Sequence, residues 1–155
     1  MFNHATIKAA LFLAVGGLCL RIGSTRFDRL KGAGHHMPWT MGALVLGGCG
    51  LIGVPLTAGF VSKWYLVIAA LQNDAWFVIA VILAGSLVAA AYVWRMIEVL
   101  YLQPADGPGE FREAPASMLV PTWTLILISL WLGVDTRFSV GFAEQAAASL
   151  MAAVP

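Results

Sequence analysis

A chain of 155 residues that is 60% hydrophobic and only 11% charged is too apolar for an ordinary soluble domain, in which about 25% of residues are charged. The formal net charge is +1 and the basic residues gather in one short loop, which excludes a nucleic-acid partner. Long uncharged runs separate the charged stretches. The sequence therefore predicts an all-α bundle of about five transmembrane helices in a lipid bilayer, one of them broken.

The first predicted helix covers about residues 3–20, close to the ~20 residues needed to cross a bilayer. It carries His4 and Lys8, which are four residues apart and therefore share one helix face. A histidine and a lysine placed in this way can exchange a proton through a water molecule. The alternative is that both residues lie near the membrane surface, with the long Lys8 side chain reaching the headgroups.

A basic loop follows, from Arg21 to Met37, with four Lys or Arg residues against one Asp. The positive-inside rule predicts that this loop faces the cytoplasm. His35 and His36 stand at its end, where we expect them to cap the next helix or to lie among the lipid headgroups.

The second predicted helix, residues 38–54, is rich in glycine, which in lipid indicates close packing against neighbouring helices. It runs into Gly53, Pro55 and Gly59, and the proline disfavours helical geometry just before it. These three residues are the predicted hinge of a broken helix. Breaks of this kind recur at the ion sites of transporters.

The third predicted helix, residues 57–71, contains Lys63, and no other charged residue lies between Lys31 and Asp74. A charge near the centre of a bilayer costs about 2.5 to 3.5 kcal/mol, so such a lysine indicates a functional site. We predict that Lys63 carries protons, with Thr57 and Ser62 as secondary polar residues. The alternative is a structural lysine paired with an acid on another helix.

The fourth predicted helix, residues 76–102, places Arg95 and Glu98 three residues apart, where they can pair on one face as further secondary polar residues. Residues 103–116 are rich in proline, glycine and acids and are typical of an exposed loop. A fifth helix is predicted over residues 118–133. The alanine-rich tail places apolar residues toward one side and favours an interfacial helix over residues 138–154.

Motifs for enzymatic chemistry are missing from the sequence. It contains no P-loop, no GxGxxG, no Ser/His/Asp set and no metal-ligand spacing, and Cys19 and Cys49 stand alone in apolar runs. We therefore expect that the chain is not itself an enzyme and that it holds neither a cofactor nor a metal ion.

Three stretches carry a family resemblance: HATIKAALFLAVGGL (residues 4–18), MPWTMGALVLGGCGLIGVPLTAGFVSKWYLV (residues 37–67) and VWRMIEVLYL (residues 93–102). The chain resembles the C-terminal third of the proton-conducting antiporter family, which includes the D-type subunit of Mrp Na+/H+ antiporters and the antiporter-like subunits of respiratory complex I. The stretch GVPLTAGFVSKWYL, with VPTW and LGVDTRFSVG further on, is most similar to the D-type Mrp subunit.

The resemblance implies a fold of two inverted repeats, each with a broken helix that carries a lysine. It places His4 and Lys8 on a central polar axis and Lys63 at one end of the second half-channel. It also implies other membrane subunits of an antiporter complex as partners, protons and Na+ or K+ as the transported ions, and a multi-pass location in the bacterial inner membrane. The first repeat is not in this chain. Two alternatives stay open: a proton-pumping subunit of complex I or of a membrane hydrogenase, and a structural membrane element that transports nothing.

Overall fold

The computed structural model describes residues 2–104, 112–135, 141 and 149, and every regular element within them is helical. The elements are α1 (Phe2–Ile22), α2 (Phe27–Leu30), α3 (Ala33–His36), α4 (Pro38–Ile52), α5 (Ala58–Gln72), α6 (Trp76–Ile97), a π-helical turn (Glu98–Leu102) and α7 (Ala116–Val134). The predicted all-α membrane bundle is confirmed. The predicted interfacial helix over residues 138–154, apart from residues 141 and 149, and residues 105–111 of the acidic loop lie outside the described residues.

Within the described residues, three helical stretches are long and apolar enough to cross a membrane: Asn3–Ile22, Trp76–Leu102 and Ala116–Val134. Helices α4 and α5 have 15 residues each, which gives each a length of about 22 Å, less than the ~30 Å of a hydrocarbon core. Helix α4 ends at Ile52, two residues before the predicted end, because Gly53 takes a left-handed conformation with φ of 84°. The two short helices follow one another across the break.

Helix α4 lies at the centre of the bundle, where its glycines allow neighbouring helices to pack closely against it. On the side of α1, a Cβ added at Gly47 would overlap the Leu11 side chain and one added at Gly50 would overlap the Ile7 side chain. On the side of α6, one added at Gly48 would overlap Val93. Residues without side chains at these positions therefore let α1 and α6 approach α4 from two sides, as the glycine-rich sequence predicts.

The loop between α1 and α4 folds onto the π-helical turn that follows α6. The Gly32 N–H donates to the Val99 carbonyl at 3.2 Å, and the His35 ring lies 3.1 Å from the Tyr101 carbonyl oxygen through its Nε2. Leu30 and Ala33 are buried beside Leu18, Met37, Met41 and Leu100. His35 is thus bound to the π-helical turn and does not cap α4, whose N-terminus has a different partner.

Candidate functional site

The break between α4 and α5 is a five-residue segment with well-defined caps. Gly53 closes α4, and its N–H and that of Val54 both donate to the Cys49 carbonyl, at 3.0 and 3.1 Å. Thr57 opens α5: its Oγ1 accepts from the Phe60 N–H at 3.3 Å and donates to the Val54 carbonyl at 2.7 Å. The chain is therefore non-helical here but its polar backbone is largely satisfied.

Lys63 reaches from α5 back to the end of α4. Its Nζ lies 3.0 Å from the Leu51 carbonyl oxygen, 2.8 Å from the Ile52 carbonyl oxygen and 2.8 Å from Ser86 Oγ on α6. The last carbonyls of a helix have no partner within it and form the negative end of its dipole. The three N–H groups of an ammonium thus meet three acceptors, two of which also favour positive charge.

The ammonium has no carboxylate partner among the described residues. Arg26 pairs with Asp28 at 3.2 Å and Arg95 pairs with Glu98 at 2.8 Å, and both of these ion pairs lie elsewhere. The described residues therefore do not show the alternative arrangement, in which a structural lysine pairs with an acid on another helix. Arg95 and Glu98 pair as their spacing predicts.

Ser86 is a site residue that the sequence analysis did not identify. It is the only serine or threonine in α6, and it stands in an otherwise apolar run. A lone hydroxyl in such a run indicates a possible contact with another helix, because polar side chains in membrane helices commonly form hydrogen bonds to a neighbouring helix. Nothing in the sequence pairs it with Lys63, which is 23 residues away.

Close backbone packing surrounds the break. A Cβ added at Gly59 would collide with the Gly50 carbonyl of α4, and one added at Gly133 of α7 would collide with the Leu56 carbonyl and the Thr57 backbone. A Cβ at Gly53 would lie 3.1 Å from the Lys63 Cδ. Of the three predicted hinge residues, Gly53 and Pro55 lie in the break and Gly59 lies in the first turn of α5.

His4 and Lys8 lie one turn apart on α1, and both are exposed in this chain. Their neighbours Thr6, Ile7 and Ala10 are buried on the packed side of the same helix. Within the described residues no hydrogen bond links His4 or Lys8 to Lys63.

The start of α1 is nevertheless tied to the start of α5. The Asn3 amide donates to the Ala58 carbonyl and to Ser62 Oγ, both at 3.3 Å. Ser62, predicted as a secondary polar residue, therefore joins the two helices that carry the predicted relay residues. Asn3 is a further polar contact that the sequence analysis did not single out.

A small cavity of about 10 Å³ lies beside the break, among α1, α4 and α7. Thr57 and Ser129 line it together with Ile7 and Gly50. This volume is about the minimum that holds one water molecule. Thr57, the last residue of the break, thus also lines a cavity that has room for a single water.

The other end of α4 carries an anion. Glu113, just before α7, accepts from the Trp39 N–H at 2.8 Å, from the Thr40 N–H at 3.1 Å and from the Thr40 hydroxyl at 2.6 Å. Thr40 is fully buried and also accepts from the Ala114 N–H at 3.2 Å. A carboxylate at the N-terminus and an ammonium at the C-terminus both complement the dipole of α4.

Comparison with known proteins gives a consistent family. Residues 1–89 match the family described as "NADH:quinone oxidoreductase/Mrp antiporter, TM". NADH-quinone oxidoreductase subunit N of Desulforudis audaxviator is 41% identical over 138 residues, which cover 81% of this chain and 28% of that protein. The D-type Na(+)/H(+) antiporter subunit of Alkalihalophilus pseudofirmus is 28% identical over 152 residues, which cover 92% of this chain and 30% of that protein.

A solved structure shares the fold. A chain of the Mrp complex from Dietzia sp. superposes with a TM-score of 0.84 at 24% identity, over 96% of this chain and 36% of that one. This chain spans between about a quarter and a third of the length of the two sequence relatives. The family resemblance identified from the sequence is confirmed.

Proposed function

Since the chain belongs to the family of membrane subunits shared by NADH:quinone oxidoreductases and Mrp antiporters, we propose that it translocates protons in a cation/H+ antiporter complex of the inner membrane. Lys63, Lys8 and His4 are the proposed relay. The exchanged cation is Na+ or K+, and other membrane subunits of the complex are the partners.

The observation that carries the proposal is the environment of Lys63. Its ammonium lies at a helix break between three helices, where two backbone carbonyls and one hydroxyl hold it. A proton carrier must release its proton as well as hold it. Neutral acceptors favour the charged form less strongly than a carboxylate at the same distance would, because they lack a full negative charge.

The exposed face of α1 supports a relay that continues beyond this chain. His4 and Lys8 face outward in the first two turns of a helix long enough to cross the membrane, and a charge that faces lipid is unfavourable, by up to about 2.5 to 3.5 kcal/mol at the bilayer centre. Protein from the rest of a longer subunit, or from a partner subunit, would remove that cost. In the proposal this covering protein supplies the next proton carriers.

The break supplies the proposed moving part. Gly53 and Pro55 lie in the segment that connects α4, which ends beside Lys63, to α5, which carries Lys63, and Gly59 lies just after it. A small change of backbone angle at these residues would shift the Leu51 and Ile52 carbonyls relative to Nζ. Ion binding elsewhere in the complex could then be coupled to the proton on Lys63.

The test is proton flux in liposomes containing the complex that includes this chain. We expect Lys63→Ala to lower flux at least about tenfold, a change of about 1.4 kcal/mol in the barrier. Arg29→Ala is the matched control, because Arg29 is a charged residue exposed in the loop helix α2. Flux that survives Lys63→Ala unchanged would refute the relay and would favour the structural alternative.

A second candidate function has its own support. The 41% identity to an NADH-quinone oxidoreductase subunit favours a proton-pumping role in an assembly driven by electron transfer. In that case the relay residues are the same and the partners differ. Purifying the native complex and testing for quinone-dependent redox activity separates the two, because an antiporter complex has none.

A further inference from the structure

Ser86 has two hydrogen bonds with different roles. Its Oγ accepts from the Lys63 ammonium at 2.8 Å, and its own hydrogen is directed to the Ile82 carbonyl at 3.0 Å, one turn earlier on α6. The second bond is dispensable for the helix, because the Ile82 carbonyl also receives the α-helical bond of the Ser86 N–H.

The three partners of Lys63 are not equivalent when the proton leaves. The Leu51 and Ile52 carbonyls can only accept hydrogen bonds, whereas a serine hydroxyl can accept or donate. A neutral amine has two N–H groups and one lone pair. The two carbonyls can keep the two N–H groups, and the lone pair then needs a donor, which only Ser86 can provide among these three.

We propose that Ser86 is the positioning residue that lets one site hold Lys63 in both protonation states. With the ammonium, the hydroxyl accepts a hydrogen bond. When a water molecule enters beside the N–H that faces Ser86, this N–H bond breaks, its proton passes to the water, and the electron pair stays on Nζ. The Ser86 hydroxyl keeps its own hydrogen and rotates it from the Ile82 carbonyl toward that lone pair. This exchange of hydrogen-bond roles at Ser86 does not require the backbone of α6 to move.

This inference rests on the proposed function, since it describes how Lys63 is held while it carries protons. Two substitutions of Ser86 distinguish hydrogen bonding from packing. Alanine is nearly the size of serine but cannot hydrogen-bond, whereas threonine keeps the hydroxyl and adds a methyl group. A packing role is therefore damaged more by Ser86→Thr, and a hydrogen-bonding role is damaged more by Ser86→Ala.

The experiment measures proton flux of the reconstituted complex, normalised to the amount of assembled complex so that a folding defect is not counted as lost transport. We expect Ser86→Ala to lower flux at least about tenfold, which corresponds to about 1.4 kcal/mol, and Ser86→Thr to restore most of it. Thr124→Ala is the matched control: its hydroxyl also donates to a carbonyl one turn earlier, that of Val120 at 2.9 Å, but it is exposed on α7.

Two outcomes overturn the inference while leaving the proposed function intact. In the first, the Ser86→Ala variant keeps the wild-type proton flux whereas Lys63→Ala abolishes it. The other is Ser86→Thr being as damaging as Ser86→Ala, which would assign the position to packing. If Lys63→Ala itself has no effect, the proposed function fails, and this inference fails with it.

Discussion

Replacing Gly59 with alanine tests whether the close contact of α5 with α4 is needed to hold Lys63 in place. A Cβ at this position would collide with the Gly50 carbonyl oxygen, far inside the ~3.3 Å at which carbon and carbonyl oxygen normally meet. Relief requires α5 to retreat by roughly 1 Å. Overpacking of this kind costs about 1 to 3 kcal/mol.

This displacement of α5 would also move Lys63, which lies one turn further along the same helix. Its bonds to the Leu51 and Ile52 carbonyls are 3.0 and 2.8 Å long, and a displacement of roughly 1 Å takes both beyond the hydrogen-bonding range of about 3.2 Å. A hydrogen bond to a charged group contributes about 1.5 to 3 kcal/mol. We therefore expect Gly59→Ala to lower proton flux at least about tenfold although every charged residue is retained.

The assay is flux in liposomes together with the thermal unfolding midpoint of the complex. Gly85→Ala is the matched control, because a Cβ at Gly85 of α6 would meet nothing within 4 Å. In a helix interior it should be neutral or stabilise by about 0.5 to 1 kcal/mol. If Gly59→Ala transports as well as Gly85→Ala, the contact between α4 and α5 does not position the lysine and the reasoning is wrong.

Two further substitutions test the caps of the two short helices. Glu113→Ala removes the acceptor for two N–H groups at the start of α4, so we expect the free energy of unfolding to fall by about 1 to 2 kcal/mol. The control is Asp28→Asn, which changes an exposed carboxylate. Equal stability of the two variants would contradict the capping role. Thr57→Val removes the hydroxyl that caps α5 and should lower the free energy of unfolding by about 1 kcal/mol, whereas Thr57→Ser should restore that stability. A serine variant no more stable than the valine variant would contradict the capping role of the hydroxyl.

The local features of the site could be predicted from the sequence because they depend on neighbouring residues. Pro55 and the glycines around it predict a break, and the break is there, between Ile52 and Ala58. The spacing of Arg95 and Glu98 predicts their pair, since residues three apart share a helix face. A charge isolated in an apolar run also identifies Lys63 as unusual without any knowledge of its contacts.

The partners of these residues could not be predicted, because they depend on how the helices pack. Ser86 is 23 residues from Lys63, and Glu113 is 73 residues from Thr40 at the helix end that it caps. The sequence likewise places His4 and Lys8 on one face of α1 but does not say which face the bundle buries. The buried face is a different one, which contains Ile7 and Ala10.

The two ends of α4 give a reason why the lysine is held by a helix terminus. A favourable charge at a helix end contributes about 0.3 to 2 kcal/mol, whereas a carboxylate about 4 Å away contributes roughly 4 kcal/mol at an effective dielectric constant of about 20. Glu113 only has to stay bound at the N-terminus, and its carboxylate takes three hydrogen bonds from two adjacent residues. Lys63 at the C-terminus also has only neutral partners, which favour its charge less strongly than a carboxylate would, and this suits the proposed role, in which Lys63 gives up its charge in each cycle.

A carboxylate brought next to Nζ, as in Ser86→Asp, should therefore retain the charge on Lys63 and stop transport while leaving the fold intact. The measurement is proton flux in liposomes beside the yield of assembled complex, with Ser86→Asn as the control of nearly equal size and no charge. We expect Ser86→Asp to be the more damaging of the two for flux, because only the aspartate adds a full negative charge beside the ammonium. Equal flux in the two variants would mean that the strength with which Lys63 holds its charge does not limit transport.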